Sequence, residues 1–558
     1  MPETPPNPTR LHDLDALRAF AMLLGIVLHT LLSFTGQWWI VRDESSSPIF
    51  QWTVEVIHGF RMPLFFLLSG FFTMMLWKRW GTRALLWQRT KRIVFPMILA
   101  LLTIIPCMWA SLAYAFSTTP EGGDLRELWS AAAQGDTQQV IGLLATGQDV
   151  NELDPLYGVA PLAHASLYQH TDTMLALIAR GADINVRTAN GDTPLHTAAF
   201  FGLEASARIL IDAGADTRLF DREGRTPELL TLISKQVTVP AAEMLGLGDW
   251  ETISTGRERI VEMIAEARGG EPSGDGAPSN AGAGAKSEAW RNTLDRLMSR
   301  DVFSHLWFLW FLCWLLLGFV LVAPIATRLP GVPRALVATP LMLVWALPIT
   351  LVFQVMMHSG GFGPDTSTGL VPMPHVLGYY AVFFFGGALL FAYDGAIRAL
   401  TKRWWAFVLL ALGAFLLSEE LRHGSTLASL GSARTTALAE DVAQVLFTWT
   451  TSLFLIGLFG VLFARERYWV RFVSDSSYWL YLAHLPMVIF GQAFARSTDL
   501  PGWLEAGTII VVVTGLLLIS YRWCVRYTPI GRLLNGRRTK TADRATKARL
   551  AGVSASVE

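Results

Sequence analysis

The stretch LDALRAFAMLLGIVLHTLLSF, residues 14–34, is long and apolar enough to cross a lipid bilayer as one helix. It nevertheless contains three ionisable side chains, Asp15, Arg18 and His29. Such groups are costly inside a membrane, and their presence there is typical of a functional site. Ten residues separate Arg18 from His29, which places them about 16 Å apart along a helix. We therefore expect the two side chains to lie at different depths, with the rest of the protein built around this helix.

The composition of the whole chain is that of a membrane protein with many crossings. Hydrophobic residues make up 52% of the 558 residues and charged residues only 16%, compared with about 25% in soluble proteins. The formal net charge is zero, which argues against a nucleic-acid partner. The cysteines, Cys107, Cys313 and Cys524, all lie in apolar segments, so the sequence predicts neither disulfides nor a metal site.

Hydropathy predicts an all-α polytopic membrane protein of about ten transmembrane helices. The ten segments are 14–36, 58–77, 93–116, 303–324, 335–357, 374–394, 404–419, 441–463, 476–495 and 503–524. The connection from Lys78 to Arg92 is rich in basic residues, whereas 358–373 contains none. The positive-inside rule therefore predicts cytoplasmic termini.

A soluble insert with an internal repeat separates the third and fourth predicted spans. APLA at 160–163, TPLH at 193–196 and TPEL at 226–229 recur every 33 residues, as does GAD at 181–183 and 214–216. This period and turn motif are typical of ankyrin repeats, each a β-turn and two short helices. The loop charges place the insert on the outer side of the membrane, and we expect a further helix at 256–267.

The predicted domain boundaries follow from these features. The membrane domain occupies 1–119 and 291–536, the ankyrin insert 120–268, a Gly- and Ser-rich flexible linker 269–290, and a basic disordered tail 537–558.

Further histidines and an arginine lie at the ends of predicted spans. HGFRMPLFF, beginning at residue 58, puts His58 and Arg61 at the outer end of the second span, at the depth expected for His29. SHLWFL puts His305 at the start of the fourth span, and SYWLYLAHLP puts His484 shortly before a proline in the ninth. For His29 the alternative is a packing role, in which the ring is hydrogen bonded to a neighbouring Ser or carbonyl. For His305 it is an interfacial position among tryptophans, and for His484 a hydrogen bond to carbonyls that the proline frees.

QRTKRIVFP, residues 88–96, places Arg89 and Arg92 one helical turn apart at the cytoplasmic start of the third span. Paired guanidinium groups can bind phosphate oxygens in a forked geometry. Ordinary positive-inside anchoring is the alternative. Glu55 and the pair Glu419–Glu420 are interpreted as solvated charge at the outer rim.

Together these stretches resemble the acyltransferase-3 family of polytopic membrane acyltransferases. The similarity runs through residues 14–29, 60–71, 89–96, 305–309 and 477–486, and covers none of 120–290. HLWFLWFL, SYWLYLAHLP and the ending RYTPIGRLLNG look most like the branch linked to succinylation of periplasmic glucans. Arg18 and His29 match the family's Arg-ten-His pair, and Arg89 and Arg92 match its basic motif before the third span.

The resemblance implies an enzyme of the cell inner membrane. It would move a succinyl or acetyl group from cytoplasmic acyl-coenzyme A, as donor substrate, to a hydroxyl of an extracytoplasmic carbohydrate such as a periplasmic glucan. A sugar hydroxyl needs a base, and neutral histidine suits that role. No bound cofactor or metal is expected, a covalent acyl-histidine stays open, and the insert would bind a protein partner.

We expect three of the candidates to be catalytic: His29 as general base, Arg61 as the group that orients the acceptor or stabilises the oxyanion, and Arg18 near the coenzyme. The others are expected to bind substrates: Arg89 and Arg92 the coenzyme phosphates, and His58, His305 and His484 the acceptor.

Two other functions fit parts of the sequence. Ten spans with intramembrane Arg and His also suit a transporter or flippase of a glycan or acyl group, although the two halves show no internal repeat. A membrane-anchored ankyrin scaffold is the third hypothesis. The presence of both Arg18 and His29 argues against a degenerate membrane domain.

Overall fold

The computed structural model describes most of the chain outside the termini and one long internal segment. The described residues are 11–117, 128–268, 303–326, 341–357, 362–423 and 433–535, with short gaps at 36–38, 40, 42, 44, 46, 155–158, 189–190, 222–224, 234, 236–237, 240–241, 243–244, 394–395, 497 and 499. Over these residues the secondary structure is entirely helical, without a β-strand. The predicted linker 269–290 and tail 537–558 lie outside them.

The chain divides into two compact units, one formed by residues 1–35, 43–116 and 285–558 and the other by 36–42 and 117–284. The helices of the first unit are α1 (His12–Leu31), α2 (Pro48–Arg89), α3 (Phe95–Ser117), α12 (Trp307–Ala326), α13 (Leu341–Gln354), α14 (Pro374–Ala392), α15 (Ala396–His423), α16 (Ala433–Leu462), α17 (Tyr468–Ala495), α18 (Gly502–Ser520) and α19 (Pro529–Asn535). Those of the second unit are α4 (Leu128–Gln134), α5 (Thr137–Ala145), α6 (Pro161–Leu167), α7 (Thr171–Ile178), α8 (Pro194–Phe201), α9 (Glu204–Asp212), α10 (Pro227–Leu230) and α11 (Trp250–Ala267).

Seven helical stretches are long and apolar enough to cross a membrane. Each of the ten predicted segments contains a described helix, but the two counts differ for three reasons. Pro48–Ala115 forms one 68-residue stretch that holds the second and third predicted spans. The α13 helix has only 14 residues, and α17 is long enough but carries polar side chains such as His484 and Gln492, which lower its hydropathy. The number of crossings therefore stays a prediction.

The chain reverses its direction within α2, at Gly81. That residue has φ 73° and ψ 178°, outside the helical region and in a region that is essentially restricted to glycine. Arg89 then hydrogen bonds to Thr73, 16 residues earlier, whereas those residues would lie about 24 Å apart in an unbroken helix. The reversal returns Arg89 to the interior of the first unit.

Close helix contacts set the positions of α1 and α2. A Cβ atom at Gly70 of α2 would collide with the Phe384 carbonyl of α14, and one at Gly387 with the Leu67 carbonyl, so the two backbones touch. The α17 helix runs parallel to α1: Arg18 Nη2 lies 3.4 Å from Ser474 Oγ, and Gln492 Nε2 donates to the His29 carbonyl at 2.8 Å. These contacts pack α2 closely against α14, and α17 alongside α1.

The second unit has the helix pairs expected of ankyrin repeats. Pro161, Pro194 and Pro227 each occupy the first turn of a helix, where the missing N–H costs no hydrogen bond. In the TPLH motif, His196 Nδ1 accepts from the Thr193 backbone N–H at 3.1 Å, and Nε2 donates to the Arg225 carbonyl of the next repeat at 3.1 Å. The histidine thus joins neighbouring repeats.

The α11 helix packs against the last repeats and contains the predicted helix 256–267. Its Arg257 is 3% exposed and donates to the carbonyls of Phe200, Thr231 and Ile233 and to Thr238 Oγ1. Burial lowers the pKa of Arg257 to about 10, so the guanidinium stays charged at neutral pH. One side chain therefore satisfies carbonyls at the end of the array.

Candidate functional site

A cavity of about 280 Å³ in the first unit is lined by Arg18, Arg89 and Arg92. Arg89 Nη2 donates to Thr73 Oγ1 at 2.9 Å, and Arg18 Nη2 lies 3.3 Å from an Asp15 carboxylate oxygen. Arg92 is exposed at the rim. Three guanidinium groups at one cavity suit an anion of several charges. The polar residues that complete the lining are Ser69, Gln88, Ser477, Tyr478 and Asn535.

A second, much narrower cavity of about 10 Å³ is lined by Gly25, Arg61 and His484. Its volume is close to the minimum needed to hold one water molecule. Met22, Phe65, Phe308 and Tyr481 line both cavities. The arginine-lined cavity is thus separated from Arg61 and His484 only by this shared, largely apolar wall.

His29 lies next to His484, with 5.2 Å between the ring centroids. The groups that act electrostatically on His29 are His484, Arg61, His305 and His58. The Gln492 amide donates to the carbonyls of His29 and Thr30 at 2.8 and 3.1 Å, which fixes this turn of α1 against α17. His29 therefore belongs to a cluster of histidines and one arginine.

Backbone carbonyls orient the other histidines of this cluster. Pro486 lacks an N–H and leaves the Leu482 carbonyl without its usual helical donor; His305 Nε2 donates to this oxygen at 3.1 Å. His484 Nδ1 donates to the Tyr481 carbonyl at 2.8 Å. In neutral His484 the proton is then on Nδ1 and Nε2 is an acceptor. That Nε2 atom is buried and has no hydrogen-bond partner among the described residues.

Arg61 lies against α1 at Gly25. A Cβ atom at residue 25 would be 2.5 Å from Arg61 Nη1 and 3.7 Å from His484 Nε2. None of the described residues forms a hydrogen bond or ion pair with Arg61. A largely buried cation without a carboxylate partner suits a negatively charged or developing anionic group.

His58 is further along α2, towards its N-terminus. Its Nδ1 donates to the Phe362 carbonyl at 2.9 Å. Gly363 approaches the same ring so closely that a Cβ atom there would be 2.6 Å from His58 Nδ1. The loop that follows residue 362 therefore determines the orientation of His58.

The interpretation of Glu55 and Glu419 as solvated charge is wrong. The Glu55 side chain is 6% exposed and accepts from Arg422 at 2.8 Å, and Arg422 also lies 3.5 Å from Glu419. Glu440 joins the same arginine at 3.9 Å. These residues pair because α2, α15 and α16 meet there, which makes the cluster a buried ion-pair network that connects three helices.

The structure divides the predicted site residues into two groups. Arg18, Arg89 and Arg92 meet in the larger cavity. Arg61 and His484 line the narrow cavity. His29 and His305 line neither cavity but lie next to His484, with ring centroids 5.2 and 5.9 Å from its own, and His58 is one turn before Arg61 on α2.

Sequence reasoning missed Gly25, Tyr481 and Gln492. Gly25 alone had a signal in the sequence, because it lies seven residues after Arg18 and therefore on the same face of α1.

The acyltransferase domain family (acyltransferase-3) matches residues 11–135 and 285–522. Three copies of the ankyrin repeat match residues 128–221, which overlap the last eight residues of the first part and end before the second. Both matches confirm the resemblance and the insert seen in the sequence. The helices that carry the two groups of site residues all lie within the acyltransferase match.

Curated relatives show a more restricted similarity. The chain is 37% identical over 92 residues to glucans biosynthesis protein C of Escherichia coli strain K12, which is 16% of this chain and 24% of that protein. The same protein from Escherichia coli strain SMS-3-5 matches at 37% and that from O1:K1 at 36%, over the same lengths. The match thus spans about a quarter of these relatives.

Proposed function

This chain belongs to the acyltransferase-3 family of membrane proteins, and from that premise we propose that it is an O-acyltransferase that acts on a carbohydrate. The donor would be an acyl-coenzyme A, carrying a succinyl or acetyl group, on the cytoplasmic side. The acceptor would be a hydroxyl of an extracytoplasmic carbohydrate such as a periplasmic glucan. The similarity to glucans biosynthesis protein C supports this class of acceptor.

One observation carries the proposal: the arginine-lined cavity is separated from Arg61 and His484 only by Met22, Phe65, Phe308 and Tyr481, which line both cavities. A coenzyme has several phosphate charges at one end and a thioester at the other. Arg18, Arg89 and Arg92 would bind the phosphates. The shared wall would then surround the thioester as it extends towards His29.

The proposed reaction is a direct transfer. His29 accepts the proton of the acceptor hydroxyl while the hydroxyl oxygen bonds to the thioester carbon. The thioester carbonyl oxygen becomes an oxyanion, which Arg61 stabilises. The carbon–sulfur bond then breaks, and the coenzyme leaves as a thiolate. His484, through Nε2, and His58 and His305 would hold the acceptor.

We also propose ten crossings with cytoplasmic termini and an extracytoplasmic ankyrin insert that binds a protein partner. The parallel packing of α1 and α17 supports this topology, because the predicted first and ninth spans cross in the same direction.

The experiment uses the purified protein with acetyl-coenzyme A and succinyl-coenzyme A. Thiol release should depend on an added glucan, and mass spectrometry should find the acyl group on that glucan. Envelope carbohydrates from cells with and without the protein give the acceptor in vivo. Carbohydrate profiles that are identical in the two strains, together with no thioester turnover, would contradict the proposal.

A further inference from the structure

Gly25 lies seven residues after Arg18 and four before His29, on the same face of α1. Its missing side chain leaves a recess in the helix surface, and the Arg61 guanidinium occupies it. A Cβ atom there would be 2.5 Å from Arg61 Nη1 but 3.6 Å from Cζ. The first distance is far shorter than a carbon–nitrogen contact allows, whereas the second is an ordinary van der Waals contact.

The conflict is confined to one partner. The heavy atoms nearest to that Cβ position are Nη1 and Cζ of Arg61 and Nε2 of His484, at 2.5, 3.6 and 3.7 Å. Backbone atoms of other helices are absent from these nearest contacts, unlike at Gly70, where a carbonyl oxygen is the first atom met. A methyl group at residue 25 would therefore displace the guanidinium without forcing α1 away from α2.

Arg61 has little else to hold it in place. None of the described residues gives it a hydrogen bond or an ion pair. Met62, Phe65 and Phe308 surround it in the narrow cavity. The position of its Nη1 atom thus depends on contact with the surface of α1.

We propose that Gly25 is a positioning residue: it lets Arg61 lie flat against α1, so that Nη1 points into the narrow cavity beside His484 Nε2, where the acyl carbonyl oxygen is placed. This inference rests on the proposed acyl transfer and assigns a residue that acts through Arg61 without contacting the substrate.

The test compares Gly25→Ala with Gly318→Ala, using thiol release from acetyl-coenzyme A by the full-length protein in detergent. Gly318 is a helical glycine of α12 whose added Cβ would meet no atom within 4 Å. We expect Gly25→Ala to lower kcat by about 10–100-fold, less than the roughly 10²–10³-fold effect of losing one oxyanion donor altogether, because the guanidinium is displaced and not removed. The KM for the coenzyme should change by less than about 3-fold, because the phosphate-binding arginines are untouched.

Arg61→Lys supplies the decisive background. Lysine lacks the forked Nη atoms that the methyl would displace. The double variant Gly25→Ala with Arg61→Lys should therefore have a kcat within about 3-fold of that of Arg61→Lys alone. If Gly25→Ala alone does not fold but the double variant with Arg61→Lys does, that result would also support the inference. If neither folds, the methyl collides with something other than Arg61, and the inference is overturned.

The remaining outcomes separate this inference from the proposed function. A wild-type protein that turns over neither thioester would overturn the proposed function and this inference with it. An active wild type in which Gly25→Ala behaves like Gly318→Ala would overturn this inference alone. If Gly25→Ala lowers kcat by the same factor in the wild-type and Arg61→Lys proteins, this inference alone is also overturned, because the methyl then acts independently of the guanidinium.

Discussion

His29 and His484 lie with their ring centroids 5.2 Å apart, although 454 positions separate them in the sequence. They belong to parallel helices, which Gln492 joins through the His29 carbonyl. His484 also borders the narrow cavity with Arg61. The pair thus connects His29, the proposed base, to the narrow cavity where Arg61 lies.

The two histidines should respond differently to substitution. His29→Ala removes the proposed base, so kcat should fall by about 10²–10⁴-fold. His484→Ala removes an acceptor contact and should mainly raise the KM for the acceptor. Both are measured by thiol release with a glucan acceptor.

His12→Ala is the matched control for these variants, because His12 lies on α1 near Glu466, 4.0 Å away, and 17 residues before His29. A larger loss of kcat in His484→Ala than in His29→Ala would assign the base to His484.

Arg89 should determine coenzyme affinity. Removing a hydrogen bond to a charged group costs about 1.5–3 kcal/mol, so Arg89→Ala should raise the KM for acyl-coenzyme A by about 10–150-fold while kcat changes little. The effect should shrink at high salt, which already screens the phosphates. Arg83→Ala is the control, because this exposed arginine belongs to the same connection but does not line the cavity. Equal KM changes in the two variants would refute a specific phosphate site.

The sequence predicted the elements that depend on local pattern. Hydropathy placed ten helical segments, and the 33-residue period placed the ankyrin insert. The Arg–His pair and the basic motif identified residues that line or surround the two cavities. Periodicity and spacing suffice for these features because each lies within one helix or one repeat.

Features that depend on distant parts of the chain could not be predicted in this way. Glu55 was misinterpreted because its partner Arg422 lies 367 residues later. Gln492 and His29 are 463 residues apart. The helical reversal at Gly81 also escaped prediction, because a lone glycine in a basic connection is compatible with any loop. Three-dimensional packing decides all of these contacts.

Gly81→Ala should impair coenzyme binding from a distance. The φ of 73° with ψ of 178° costs a non-glycine residue about 1–3 kcal/mol. No atom would obstruct the new methyl within 4 Å, so the cost comes from the backbone alone. Relaxation there should displace Arg89 from Thr73 and raise the KM for acyl-coenzyme A. The control is Gly318→Ala, which adds a methyl to another membrane helix. If Gly81→Ala and Gly318→Ala have the same KM for acyl-coenzyme A, the reversal at Gly81 does not position Arg89.

Arg257→Met should loosen the end of the ankyrin array. The substitution retains much of the side-chain volume but leaves the carbonyls of Phe200, Thr231 and Ile233 buried without this donor. Each such group costs about 1–3 kcal/mol. Hydrogen exchange of the full-length protein should therefore accelerate in α10 and α11 while α4 and α5 stay protected. Arg259→Met, on the exposed face of α11, is the control. If hydrogen exchange in α10 and α11 accelerates equally in both variants, Arg257 does not cap the array.

Stability of the ankyrin unit should fall as the pH drops below about 6.5. Burial is the largest influence on His196, and it lowers the pKa of the folded imidazole below its ordinary 6.5. Between the lowered folded value and the unfolded value, the unfolded chain binds more protons, so unfolding becomes easier as pH falls and levels off below the folded pKa. The structural reason is that Nδ1 accepts the Thr193 N–H and would lose this bond on protonation.

Hydrogen exchange in α8, compared at pH 5 and pH 7.5 in the full-length protein, measures this dependence. At pH 7.5 the ankyrin unit of His196→Gln should be less stable than that of the wild type. Its stability should change much less between pH 5 and pH 7.5, because glutamine does not titrate. An undiminished difference in His196→Gln would show that another group is responsible.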